Sequence, residues 1–326
     1  SISDQFFSSL GGISDSAPKS FLNKPKLSFE IVAKNGEIFF FIGTPKYLVS
    51  YIEKQVHSYF PYAQLEQTDN FKILQDPKSK VACASLGLIK KFVYPIRTYK
   101  TLEHDPINAI TNVMSKLKAE EAAIIQIMLK PTSNSWRLTC SRAALNVKAG
   151  KQVYDNNWQA FFYGFFEFLS STASSGSKAD NSLEYSRRPL MTPQQDELMK
   201  AFNEKGNKVG FKTQMRVVVT SYSEDEAKVN LNNIVGSFSQ YKAPQINGIK
   251  KIALMKKKNR FLSDFILREF TFLKKTYLLN TEELAGLWHL PNKFTETPNI
   301  SWIKARTLPA PSDLPKEGTF IGESHY

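Results

Sequence analysis

The chain has 326 residues, 42% hydrophobic and 22% charged, a balance that belongs to globular rather than disordered proteins. No apolar run approaches the roughly 18 to 20 residues of a membrane-spanning helix, and the opening Ser1 to Asp4 lacks the basic start of a secretory signal. The formal net charge of +13 suits an acidic partner, nucleic acid or an anionic membrane surface, and equally suits a generic basic surface.

Residues 1–28 read as a short helix from Asp4 to Leu10 followed by a loop. Phe29 to Ala33 and Glu37 to Ile42 are β-prone runs joined through Asn35-Gly36, a pair that takes the positive φ of a tight hairpin. Thr44-Pro45 reads as a cap with a first-turn proline. Leu48, Tyr51, Ile52, Val56 and Tyr59 then recur at helical spacing up to Pro61, and Ala63 to Gln67 can return as a strand. Val81 to Tyr94 reads as a β segment broken near Gly87 and Lys90-Lys91. Asp105-Pro106 repeats the cap grammar before a helical face of Ile107, Ile110, Val113, Met114 and Leu117, and Ala122 to Leu129 is a buried strand. Residues 29–131 thus predict a ferredoxin-like α+β domain with an antiparallel sheet.

Residues 132–170 predict a helical connector, whose aromatic-dense Trp158 to Phe168 should pack on a sheet or a partner. Residues 171–191, rich in Ser, Gly and Ala, read as a flexible linker. A second α+β domain is expected over 192–279. Thr192 to Gln195 forms a capping box and Gly206 a left-handed stop; Phe211 to Tyr222 is a strand. Ser223 with Glu226 caps a helix, and Gly248 to Met255 is a further strand. Arg260 to Phe270 is helical and Phe272 to Leu279 extended. Residues 280–326 read as a tail: a capped helix from Asn280, then a proline-punctuated connector and a strand start at Thr319.

The densest basic region holds Lys250, Lys251, Lys256, Lys257, Lys258, Arg260, Lys274 and Lys275. It reads either as a DNA-contact surface, where phosphates are bound with strong salt dependence, or as a solvated loop. Phe261, Phe265 and Phe270 interleave it at core-like helical spacing. No G-x-x-x-x-G-K-[ST] occurs, and Gly150-Lys151 is followed by Gln152, so no nucleotide phosphate or Mg²⁺ site is expected. His57, His104, His289 and His325 lack ligand spacing, which excludes a persuasive zinc site. No G-x-S-x-G is present, and Glu120-Glu121 and Asp225-Glu226 read as cap or turn carboxylates. No catalytic residue is named. Cys83 and Cys140 read as free thiols in a reducing compartment, with a disulfide the weaker alternative.

Three tail segments carry a resemblance: Leu279 to Pro291 (LNTEELAGLWHLP), Thr297 to Trp302 (TPNISW) and Leu314 to Gly322 (LPKEGTFIG). Asp105 to Asn108, Ala122 to Pro131 and the Phe29 unit add to it. They resemble the region before the motor domain in conjugation-type, type IV secretion DNA-pumping ATPases of the TraG and HerA/FtsK-like kind, in the form common in candidate-phyla bacteria. The resemblance implies a non-catalytic assembly and docking region of a homo-oligomeric ATPase. Its implied setting is cytoplasmic, tethered to the inner membrane face by an upstream segment, with a P-loop motor binding ATP and Mg²⁺ after Tyr326. The lack of an initiator Met is read as the mark of a fragment or processed product. Other subunits, secretion-channel membrane components and DNA are the implied partners, and a stand-alone basic nucleic-acid-binding protein is the alternative.

Overall fold

A computed structural model of the chain describes residues 1–13, 25–68, 78–150, 191–254, 257–270 and 276–291. At the start of the sheet, Asn35 and Gly36 adopt φ of 53° and 78°. This is the two-residue turn that matches strand twist. It joins β1 (Leu27–Lys34) to β2 (Glu37–Gly43) in the expected antiparallel hairpin. Five more strands follow: β3 (Lys80–Leu88), β4 (Ala122–Pro131), β5 (Gly210–Ser221), β6 (Ile249–Ile252) and β7 (Tyr277–Asn280). All seven lie in one sheet of order β2-β1-β4-β5-β3-β6, with β7 paired to β5, and every pairing is antiparallel.

The helices are α1 (Ile2–Leu10), α2 (Val49–Tyr59), α3 (Pro106–Met114), α4 (Ser135–Lys148), α5 (Pro193–Gly206), α6 (Glu224–Ser237), α7 (Lys258–Ile266) and α8 (Thr281–Leu287). The architecture is therefore α+β with an antiparallel sheet. Strands of both predicted stretches, 29–131 and 192–279, share that sheet, so it runs across the expected domain boundary. The ferredoxin-like order is built jointly by the two stretches. Because β5 pairs antiparallel with both β3 and β4, the latter two are parallel, connected through α3 with β5 in the gap. By the same reasoning β5 and β6 are parallel, connected through α6 with β3 in the gap. The resulting β3-α3-β4-β5-α6-β6 unit has strand order β4-β5-β3-β6, two interlocked split βαβ motifs. Its two helices pack on each other and on one sheet face through Ile107, Ile110, Met114, Ala227, Leu231 and Ile234.

Alternation along the strands assigns each residue to a face. Phe29, Ile31, Ala123, Ile125, Ile127, Met215, Val217 and Val219 join α1, α2, α3, α6 and α8 in the main core. Val32, Ala122, Ile124 and Val218 point the other way and are covered by Phe261 and Phe265 of α7. Trp288, directly after α8, is buried among Phe7, Phe29 and Phe40, and its Nε1 donates to the Glu30 carbonyl at 3.3 Å. Residues 280–289 of the expected tail are thus buried, and the proline-rich remainder after Pro291 lies outside the described residues.

Several local expectations differ from the structure. Ala63 to Gln67 forms no strand, and Leu65 in its middle is exposed. Thr44 caps nothing: Pro45 precedes a short 3₁₀ turn, Lys46–Leu48, and the Thr44 hydroxyl is buried without a hydrogen-bond partner. Gly206 does not take a left-handed stop. A Cβ there would stand 3.0 Å from Cys140 Cβ, so glycine lets α5 approach α4 closely. Ser223 caps α6, but Glu226 turns to Lys118 and Ser221, leaving half a capping box. The Thr192–Gln195 and Asn280–Glu283 boxes are both complete. The aromatic segment 158–168 and the linker 171–190 lie outside the described residues.

Candidate functional site

The basic residues named from the sequence divide three ways. Lys256, Lys274 and Lys275 lie outside the described residues. Lys250 and Lys251 are exposed on β6, at the edge of the sheet, and Lys251 donates to Asn232 of α6 at 3.4 Å. Lys257, Lys258 and Arg260 are exposed where α7 begins, and Arg260 has only a loose contact with Asp264, 3.8 Å away. Lys251 and Lys258 both act electrostatically on Cys83 of β3, so the two groups belong to one basic region; burial nonetheless raises the Cys83 thiol, outweighing their opposite pull. The first turn of α7 contains no acidic residue. Cations at a helix N-terminus add to the positive end of the macrodipole, an arrangement an anion would relieve. The interleaved Phe261 and Phe265 are buried against the sheet and offer no stacking surface for bases.

What holds α7 in place is a polar row crossing the sheet, invisible in the sequence because its members are far apart along the chain. Glu30 of β1, Gln126 of β4, Arg216 of β5 and Ser85 of β3 are successive cross-strand neighbours on the α7 face. Gln126 Nε2 donates to Glu30 Oε1 at 2.9 Å and to the Phe265 carbonyl at 3.1 Å. Arg216 donates to Gln214 and to the carbonyls of Asp264 and Glu269 around the C-terminal end of α7. A cation placed there suits the negative end of the helix dipole. Burial lowers the Arg216 guanidinium to about 10, against the opposing pull of Asp264, Glu269 and Glu30. Arg268, at φ 51°, closes the row with two hydrogen bonds to the Glu30 carboxylate, 2.8 and 3.0 Å. Such a forked pair is the strong, geometrically selective form of ion pairing. A cleft of about 430 Å³ lies beside it, lined by Lys26, Gly43, Thr44, Tyr47, Leu267 and Arg268 among others.

A second ionic cluster surrounds α8. Glu283 Oε1 accepts from Lys205 Nζ and from the Ile96 amide, both at 2.9 Å, with Lys205 and Glu283 inaccessible to solvent. Glu283 Oε2 closes the capping box on the Asn280 amide. The neighbouring Glu282 accepts from Thr98 and pairs with Lys100 and Lys208, and Lys208 also reaches Asp4. Burial alone would raise Glu282, but hydrogen bonds from Lys100, Lys208 and Thr98 outweigh it and hold the carboxyl below its ordinary value. The capping pattern of Asn280 and Glu283 was readable in the sequence; the partner lysine 78 residues upstream carried no signal.

The remaining candidates are structural. His289 meets Asp105 at 2.8 Å, fastening the exit of α8 to the cap of α3, whereas His57 and His104 are exposed. Glu121 is buried, accepting from the Lys118 amide and Asn230. Glu224, Asp225 and Glu226 occupy the first turn of α6. Gly150 ends α4 at φ 69°. Cys83 and Cys140 are free thiols, and burial pushes Cys140 up to about 11. Among the described residues no three His, Cys, Asp or Glu side chains gather as a metal would require. Among the same residues no helix is long and apolar enough to cross a membrane.

No curated protein is similar enough to the chain to count as a match. Residues 2–303, however, match the family described as a domain of unknown function, DUF8128, nearly end to end. With that coverage, the chain belongs to the DUF8128 family.

Proposed function

We propose that the chain is a non-catalytic assembly and docking region of a conjugation-type, type IV secretion DNA-translocating ATPase. The reading rests on the resemblance of the segments 105–108, 122–131 and 279–291 to the region preceding such motors. One structural observation supports it most: the interior ionisable groups bind other parts of the chain. Lys205 with Glu283, Glu30 with Arg268 and Asp105 with His289 each tie elements far apart in sequence. Groups so paired rigidify a scaffold, and their unpaired removal is costly. ATP and Mg²⁺ then belong to a motor domain, and the partners are other subunits, secretion-channel membrane components and DNA. The expected setting is the cytoplasmic face of a membrane.

The test is the reading frame that encodes the chain, together with an ATPase assay on the purified protein. The proposal expects a G-x-x-x-x-G-K-[ST] motif beyond codon 326 and no hydrolysis by residues 1–326 alone. Hydrolysis by the isolated chain, or a stop codon directly after Tyr326, overturns it. A second reading, a stand-alone nucleic-acid-binding protein, is favoured by the exposed cations of β6 and the start of α7. It predicts DNA binding whose logarithmic affinity falls linearly with the logarithm of salt concentration.

A further inference from the structure

The two ends of the sheet are built differently. At one end β6 has four residues, two of them exposed lysines, the kind of edge that resists pairing. At the other end β2 has seven residues, and among the described residues it pairs only with β1. Its centre, Ile38-Phe39-Phe40-Phe41-Ile42, reads the same in both directions, with Phe39 to Ile42 only half-buried. Across the two-residue turn, Lys34 and Glu37 are the closing pair, which exchanges both backbone hydrogen bonds. Bonds to β1 then recur at Phe39 and Phe41, so the N–H and C=O groups of Ile38, Phe40 and Ile42 face outward.

We infer that β2 is a self-pairing edge, joining antiparallel to β2 of a second copy of this chain across a two-fold axis at Phe40. In this register Ile38 meets Ile42 of the partner, Phe39 meets Phe41 and Phe40 meets Phe40. Such cross-strand aromatic and β-branched pairs are the stabilising unit of a sheet. About six intermolecular hydrogen bonds form from the outward groups. A two-fold contact must be self-complementary, and an apolar palindrome meets that condition.

Charge fits the same register. Glu37 is exposed at the start of β2, across the hairpin from Lys34. The two-fold sets it opposite Gly43 of the other copy, on the face carrying Phe39 and Phe41. Gly43 has no side chain of its own, and Arg268 lies over it: a Cβ there would be 2.8 Å from Arg268 Cδ and Nε. The carboxylate thus arrives beside Arg268 and the cleft that Lys26 also lines. The contact does not depend on the translocating-ATPase reading and stands or fails separately from it.

The test is sedimentation velocity over a concentration series, paired with residue-resolved hydrogen exchange of the full chain. A dimer is expected in which the amides of Ile38, Phe40 and Ile42 gain protection with concentration. Those of Phe39 and Phe41, bonded to β1, should be protected throughout. Glu37→Arg, an exposed position whose change leaves the core untouched, should weaken association about tenfold, because the two-fold presents the repulsion twice. If that variant does not fold, the exchange pattern of the unaltered chain still decides. A chain monomeric throughout the series, or an oligomer in which those three amides stay unprotected, overturns the inference.

Discussion

Lys205 and Glu283 face each other with no solvent contact, so neither charge has water to fall back on. Changing Lys205 to Met strands the carboxylate, and chemical denaturation should show a loss of about 3–5 kcal/mol. Combining Lys205→Met with Glu283→Gln should cost less than Lys205→Met alone, because no buried charge is then left unpaired. Glu282 gives the molecule an acid-sensitive contact. Its folded pKa lies below the ordinary 4.5, so its contribution is complete above pH 4.5 and is lost as pH falls through the folded value. Stability measured from pH 6 downward should therefore decline through that window, and Glu282→Gln should flatten the decline. A variant curve parallel to that of the unaltered chain would remove Glu282 as the source.

At the scale of elements, what could be read in advance was whatever depends on neighbours in sequence. The Asn35-Gly36 turn, the Asp105-Pro106 cap and the apolar runs that become β1, β4 and β5 are local patterns, and the structure has them. The strand expected at 63–67 is absent because Leu65, its one large apolar side chain, is flanked by Gln64 and Glu66 and stays exposed, so pairing would bury little. The row Glu30–Gln126–Arg216 was illegible because three separate strands contribute it. Arg216 fastens α7 by its last carbonyls, so Arg216→Met should release that helix. Hydrogen exchange in α7 should rise while β4 and β5 remain protected, with a stability loss of about 2–4 kcal/mol. At Gly210 an added Cβ would stand 2.5 Å from the Trp136 ring. A rigid indole cannot yield as a flexible chain end does. Gly210→Ala should accordingly cost about 1–3 kcal/mol in thermal or urea unfolding, through strain between β5 and α4.

For the whole molecule, the division into two stretches followed from composition, since the polar region around 171–191 looks like a boundary. The sheet runs across it because β5 inserts between β4 and β3, a non-local pairing that no periodicity announces. The basic surface was legible as charge, but its geometry required α7 to be placed. Phe261 and Phe265 turned inward, leaving Lys257, Lys258 and Arg260 outward. Chain-to-chain docking through apolar strands and DNA binding through lysines respond oppositely to salt. Sedimentation velocity of the full chain with labelled duplex DNA, across a salt series, separates them in one experiment. A docking region predicts chain–chain association that persists at high salt, after any bound DNA has been released. A monomeric chain that binds DNA tightly at low salt, and releases it steeply as salt rises or on Lys257→Glu with Lys258→Glu, would contradict it.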